Sequence, residues 1–270
     1  MTDLIVWFIK QASAIGLIND VSGILTKPYD FIHEMPTAMT ILNFMKVIAY
    51  GLVLVHFLLQ LSDSATSESF TIEHFLKHLA KTIISILIIN ITGTVFQYLF
   101  NFGNNIAGYV GTTVTSKVAI DGNLRKTVDE AGTWERICLL VAAMFPGLLG
   151  YIVGLAIKVL ASTRIIECTV RFIFAPVAVS NIINGGVNSH GVRYMKKFIV
   201  VAAQGAVILA AFYFGSKLIG YSTMSKLSGS GIGETINLIM KSMTKNLVAM
   251  ICSLVVSLKA QSLLSEAFGC

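Results

Sequence analysis

Charge is what this sequence has least of. Only 13% of its 270 residues are Asp, Glu, Lys or Arg, about half the roughly 25% of an ordinary soluble domain. Water does not tolerate such a surface, which excludes a soluble globular enzyme. Catalytic and cofactor signatures are missing too. There is no C-x-x-C pair, no Cys/His spacing suited to zinc, no zincin pair and no serine elbow. Gly229-Ser-Gly231-Ile-Gly233 lacks the Lys-Ser/Thr of a phosphate loop and reads as a linker. The expectation is no catalytic residue, no cofactor and no metal. Cys138, Cys168 and Cys252 sit in apolar runs, where cysteine acts as a small hydrophobe, and Cys270 is not in a prenylation box.

Acidic residues are the scarcer charge, 14 against 20 Lys and Arg, for a net +6. In so apolar a chain this balance fits the lysines and arginines that membrane proteins gather in cytoplasmic loops better than a nucleic-acid footprint.

What is present is apolar. Hydrophobic residues make up 55% of the chain, and mean hydropathy is +0.77. Crossing a bilayer takes about 20 apolar residues. Five runs qualify, near 39–61, 79–100, 137–160, 198–219 and 247–264. A sixth at 165–183 carries Glu167, Arg171 and Pro176. The expected fold is therefore all-α, a polytopic transmembrane helical bundle of five to six spans. Residues 1–38 form a separate amphipathic, interfacial segment before the transmembrane domain 39–270. Met1–Leu17 is a poor signal peptide, with Asp3 where a basic region belongs, and reads as retained. Breaks are expected at Pro28 and Pro36.

The connections are read as Ser62–His74, acidic; Asn101–Arg136, opening on a Gly/Asn-rich stretch; Asn184–Lys197, basic through Arg193, Lys196 and Lys197; and Gly220–Asn246. With six spans, the basic cluster places Asn184–Lys197 and both termini in the cytoplasm, although the lysines of Gly220–Asn246 oppose this.

The informative constellation is Lys158, Arg164, Glu167 and Arg171. Intervals of three and four put the last three on one helix face. An ionised group within a span is costly, so it is paired or faces a wet cavity. Two readings stand: a self-neutralising ladder with Arg164 snorkelling to headgroups, or a charged lining for a conduit or intersubunit surface. Pro176 is expected to break this helix. Gly150 and Gly154 form a G-x-x-x-G for close helix packing, with Gly147 one turn earlier. Lys46, His56, Gln97 and Gln204 read as hydrogen-bonding or snorkelling residues. His74 and His78 read as a solvated helix start.

The stretch Ile165–Gly205 resembles the TrbL-like polytopic membrane subunit of conjugative type IV secretion systems, in its low-GC Gram-positive form. Carrying the resemblance are Glu167 and Arg171, then Phe174-Ala175-Pro176. Next come Gly185, Gly186 and Gly191, then Arg193 to Phe198, and Gln204-Gly205. The ending from Ala260 to Gly269 is also similar, whereas the N-terminal half matches only in span layout. The resemblance implies a channel or scaffold subunit of the cytoplasmic membrane without enzymatic activity. It implies partners among the other secretion subunits, including the secretion ATPases, a homo-oligomer in the lipid bilayer, and transient contact with single-stranded DNA carrying bound protein. It also implies a sizeable extracytoplasmic central loop, for which Asn101–Arg136 is the candidate. The alternative is a small secondary transporter of a solute, a class that usually carries inverted repeats; no repeat is found.

Overall fold

The structure, a computed structural model, describes residues 1–12, 15–27, 29–66, 71–115, 128–129, 132–182, 189–219 and 232–269. Among these the chain is helical without strands. The helices are α1 (Thr2–Ala12), α2 (Ile15–Thr26), α3 (Pro36–Ala65), α4 (Ile72–Thr115), α5 (Thr133–Val179), α6 (His190–Ile219) and α7 (Ile232–Phe268). Five of them, α3 to α7, are long and apolar enough to cross a bilayer.

The sixth span is not a separate element. Of the five to six crossings expected, five stand, because the runs 137–160 and 165–183 belong to one helix, α5, unbroken for 47 residues. At 1.5 Å per residue that is about 70 Å, more than twice the roughly 30 Å of hydrocarbon. Nothing between Leu160 and Ile165 stops a helix. The hydroxyls of Thr163 and Thr169 donate to the carbonyls of Val159 and Ile165 on their own helix, both at 2.9 Å. Polar side chains satisfied in this way need no loop. Pro176 does not break the helix either. It removes one i→i−4 bond, but only three residues of the helix follow it before the end at Val179.

The stretch read as a Gly/Asn-rich loop from Asn101 is also helical, as α4 continues to Thr115. Two of its glycines, Gly103 and Gly111, serve contact rather than turning. A Cβ on Gly103 would lie 2.3 Å from the carbonyl oxygen of Ala202, and one on Gly111 would lie 2.9 Å from Ser22 Oγ. Glycine in a helix costs about 0.5–1 kcal/mol relative to alanine, which close backbone packing offsets. The rest of that connection lies largely outside the described residues, as do Pro28, Gly185, Gly186 and Ser228–Gly231. Arg193, Lys196 and Lys197 belong not to a loop but to the first turns of α6. Basic residues oppose the dipole there, so helix-end rules point the other way.

The chain divides into two compact units. The first comprises Met1–Lys27, Asn104–Thr163 and Gln204–Leu263. One of its cores joins Val21 and Leu25 of α2 to Ala107, Ile157, Ala161, Leu209 and Phe212. A smaller one joins Ile5, Ile9 and Ala12 of α1 to Leu139, Ala143 and Met243. The amphipathic N-terminus thus buries one stripe against α5. Gly147 and Gly150 receive it. A Cβ on Gly150 would sit 2.6 Å from the Gln11 carbonyl oxygen, and one on Gly147 would sit 2.7 Å from the Phe8 ring. The close packing expected of Gly150 is with α1, not with another span.

The second unit comprises Pro28–Gly103, Arg164–Ala203 and Leu264–Cys270. Its core is aromatic: Phe31 packs on Phe100 and Phe172 at ring separations of 4.6 and 5.0 Å, and Phe96 on Phe198 at 4.7 Å. Phe31 lies in the connection before α3, and Gln97 of α4 pins that connection. Its Oε1 accepts from Phe31 N–H and its Nε2 donates to the Tyr29 carbonyl, both at 2.9 Å. Asp30 turns the chain by accepting from the N–H groups of Ile32 and His33, and Pro36 then opens α3.

Candidate functional site

At 100° per residue, Arg164, Glu167 and Arg171 fall within about 60° of one another on α5, and Lys158 lies on a different face. The structure separates these four residues into three environments.

Arg171 and Glu167, one turn apart, form an ion pair. Arg171 donates from Nε at 3.0 Å and from Nη2 at 2.6 Å to the same oxygen, Glu167 Oε1. Both side chains are partly exposed. The turn that carries them is held from α6, where the Tyr194 hydroxyl donates to the Arg171 carbonyl at 2.7 Å. This is the pairing that the i, i+4 spacing predicted, with the acid on the N-terminal side.

Arg164 behaves otherwise. It is 2% exposed, the largest side chain fully buried in the protein's described residues. Its Nε donates to the Val201 carbonyl at 3.1 Å and its Nη2 to the Ala202 carbonyl. The expected snorkelling to headgroups is thereby corrected, because the guanidinium turns inward onto α6. Arginine suits the position, since it stays protonated and its fork reaches two acceptors at once. Those carbonyls are reachable because α6 is apolar and small-sided there, with Ala202 and Ala203 buried. Gly103 of α4 comes against the same Ala202. Arg164 therefore fastens α5 to α6 at a point that α4 also approaches.

Lys158 pairs with Asp20 of α2 at 2.6 Å, and both side chains are about half exposed. Sequence reasoning found Lys158 but not Asp20. The two are 138 positions apart, and no local spacing signals the pair. Tyr194 was legible only as a letter in a motif, and nothing in its neighbours marked it as a donor to α5.

Gly150 contacts α1, while Gly154 lines a cavity beside Lys158. On α6, Arg193 and Lys197 are exposed and Lys196 partly so. Lys46 donates to the Asn90 carbonyl at 3.2 Å, and His56 bonds the Leu52 carbonyl of its own helix. His78 joins Gln60 and Ser64 at 3.0 and 3.1 Å, so it bridges α4 to α3 rather than facing solvent alone. Among the described residues no three His, Cys, Asp or Glu side chains are grouped to hold a metal ion. Of the four charged residues from Lys158 to Arg171, three are cations and one, Glu167, is a carboxylate; Arg164 is buried and the other three are at least partly exposed.

The chain matches the family described as TrbL/VirB6 plasmid conjugal transfer like protein over residues 30–176, just over half its length. Of the Ile165–Gly205 stretch that carried the resemblance, only 165–176 lies inside the match, so the relation rests mainly on α3, α4 and most of α5. No curated protein and no solved structure gives a significant match.

Proposed function

The chain belongs to the TrbL/VirB6-like family of plasmid conjugal transfer proteins, and from that premise we propose a channel or scaffold subunit of a conjugative type IV secretion system. In this reading it sits in the cytoplasmic membrane and assists passage of single-stranded DNA with bound protein. It has no catalysis of its own and works with the secretion ATPases and other subunits, as a homo-oligomer. The observation that carries the reading is the family match across a chain with five membrane-length helices.

Within this role Arg164 is an anchor, withdrawn from any conduit by its burial. The partly exposed Glu167–Arg171 pair is the candidate for a conduit lining or an intersubunit contact. Five crossings also reconcile two expectations that six could not. With Arg193, Lys196 and Lys197 cytoplasmic, an odd count puts the connection between α4 and α5 outside the cell. The acidic connection between α3 and α4 then faces the cytoplasm, which the rule permits because acids count little.

Deletion of the gene from a conjugative plasmid is the direct test. Mating frequency should fall to background and return on complementation, with solute uptake unchanged. Unimpaired transfer in the deletion strain would sink the reading, and solute uptake by the purified protein in liposomes would favour a transporter.

A further inference from the structure

The first unit contains a cavity of about 270 Å³ lined by Lys10 and Gln11 of α1, Asp20 of α2, and Gly150, Gly154 and Lys158 of α5, with Tyr151 and Leu155 at its side. Liquid water occupies roughly 30 Å³ per molecule, so the space accommodates a group much larger than one water. Among the described residues that line it are two lysines and one carboxylate, Lys10, Lys158 and Asp20. Lys158 is held by Asp20 at 2.6 Å but remains 44% exposed, so its ammonium has room for a second acceptor. Gly154 adds no side chain to the lining, and Gly150 lets α1 approach closely beside it.

The surroundings are apolar and aromatic. Trp7 of α1 packs on Tyr151 at a ring separation of 5.9 Å, and the two are 44% and 45% exposed. Leu4 continues the outward stripe of α1, and Leu148, Ile152 and Leu155 form an exposed stripe along α5. Tryptophan, tyrosine and lysine together are the residues that settle at headgroup level, and basic pockets between membrane helices take anionic headgroups.

We propose that this cavity binds the phosphate group of an anionic phospholipid, with Lys10 and Lys158 as its cationic contacts and the acyl chains lying along the Leu148–Ile152–Leu155 stripe. Asp20 holds Lys158 in place and moderates affinity, because it competes with the phosphate for the same ammonium. The site lies on a different face of α5 from the Glu167–Arg171 pair. It concerns attachment to lipid and is independent of what the protein transfers.

The chain has two tryptophans, and Trp134 is an exposed residue at the start of α5. Trp134→Phe therefore leaves Trp7 as a single fluorophore beside the cavity. The full-length protein in nanodiscs is titrated with brominated phosphatidylglycerol or brominated phosphatidylcholine. The anionic lipid is expected to quench Trp7 preferentially. Lys10→Gln and Lys158→Gln are each expected to weaken that preference about fivefold, the usual effect of one basic residue near an anionic surface. Asp20→Asn is expected to strengthen it, a gain that misfolding cannot imitate. Equal quenching by the two lipids would overturn the proposal, as would an Asp20→Asn variant with unchanged or weaker preference. Relief of quenching by millimolar inorganic phosphate would reassign the site to a free phosphate, and relief by a single-stranded oligonucleotide would reassign it to nucleic acid. Either result overturns the lipid assignment.

Discussion

The two compact units use different packing, and their charges follow the packing. In the first, cores of Ala, Val, Ile and Leu surround α1 and α2, which lie against glycines of α4 and α5. In the second, five phenylalanines form the centre and a glutamine ties down a loop. Lys158 and Arg164, six positions apart on α5, fall on either side of this division. The lysine stays half exposed with a carboxylate partner, and the arginine is sealed on backbone carbonyls. Chemistry explains the difference. An ammonium is a compact, strongly hydrated charge that keeps its water, whereas a guanidinium is weakly hydrated and spreads its charge over several donors. Equal formal charge on one helix therefore does two jobs, one open to ligands and one structural.

The largest expected effect breaks that contrast directly. Arg164→Met removes the buried donors and leaves two carbonyls facing an apolar group. It should destabilise the protein by about 3 kcal/mol, against less than about 1 kcal/mol for Lys158→Met. Thermal unfolding in detergent compares the two, and equal losses would refute the distinction.

Next in size are the glycine contacts. Gly103→Ala in the second unit drives a methyl into backbone at Ala202, with an expected cost of about 2 kcal/mol. Gly111→Ala in the first unit meets mainly the Ser22 hydroxyl, which rotates away, so its cost should stay below about 1 kcal/mol. Gly108 has nothing within 4 Å. Gly108→Ala should gain about 0.5 kcal/mol or more from helix propensity alone. Unfolding by graded SDS ranks all three.

Gln97→Leu should cost about 1–2 kcal/mol by orphaning Phe31 N–H and the Tyr29 carbonyl. Because both partners lie in one connection, faster proteolysis near residues 29–34 should accompany the loss. No change in cleavage there would show that the phenylalanines alone hold that segment.

The smallest effect concerns pH. The hydrogen bond with His33 is the main cause that holds the Asp30 carboxyl below the ordinary carboxylate range, with backbone donors from His33 and Ile32 assisting. A folded-state value below the unfolded one contributes stability at neutral pH that is lost as pH falls through the folded value. Melting temperature should therefore drop slightly more for the parent protein than for Asp30→Asn between pH 5 and about pH 2. Parallel profiles would remove Asp30 from the account.

Much of the fold is legible in local sequence, and the exceptions have specific causes. Membrane-length runs mark α3, α4, α6 and α7 because apolar stretches of that length have one stable environment. Between the apolar runs 137–160 and 165–183 stands the polar Ser162-Thr163-Arg164, which resembles a break in α5. Hydroxyls that bond their own helix and an arginine that finds another helix's carbonyls remove the need for one. The glycines of residues 103–111 looked like a turn because glycine permits turns, but it equally permits close approach, and only a neighbouring helix decides which. At the charged site, the Glu167–Arg171 pair was readable from an interval of four. Arg164 on Ala202 and Lys158 on Asp20 were not, since their partners are 38 and 138 positions away.

By itself the sequence determined that this protein is helical and lives in a membrane, because scarce charge and long apolar runs admit no other solvent. It determined as well the neutralisation of Arg171, which a residue one turn away supplies. The tertiary structure alone decided which cation is buried, which glycines are contacts, and that the amphipathic N-terminus lies on α5. Each of those outcomes depends on side chains far away in sequence, and a buried charge is tolerated only where distant backbone happens to offer its acceptors.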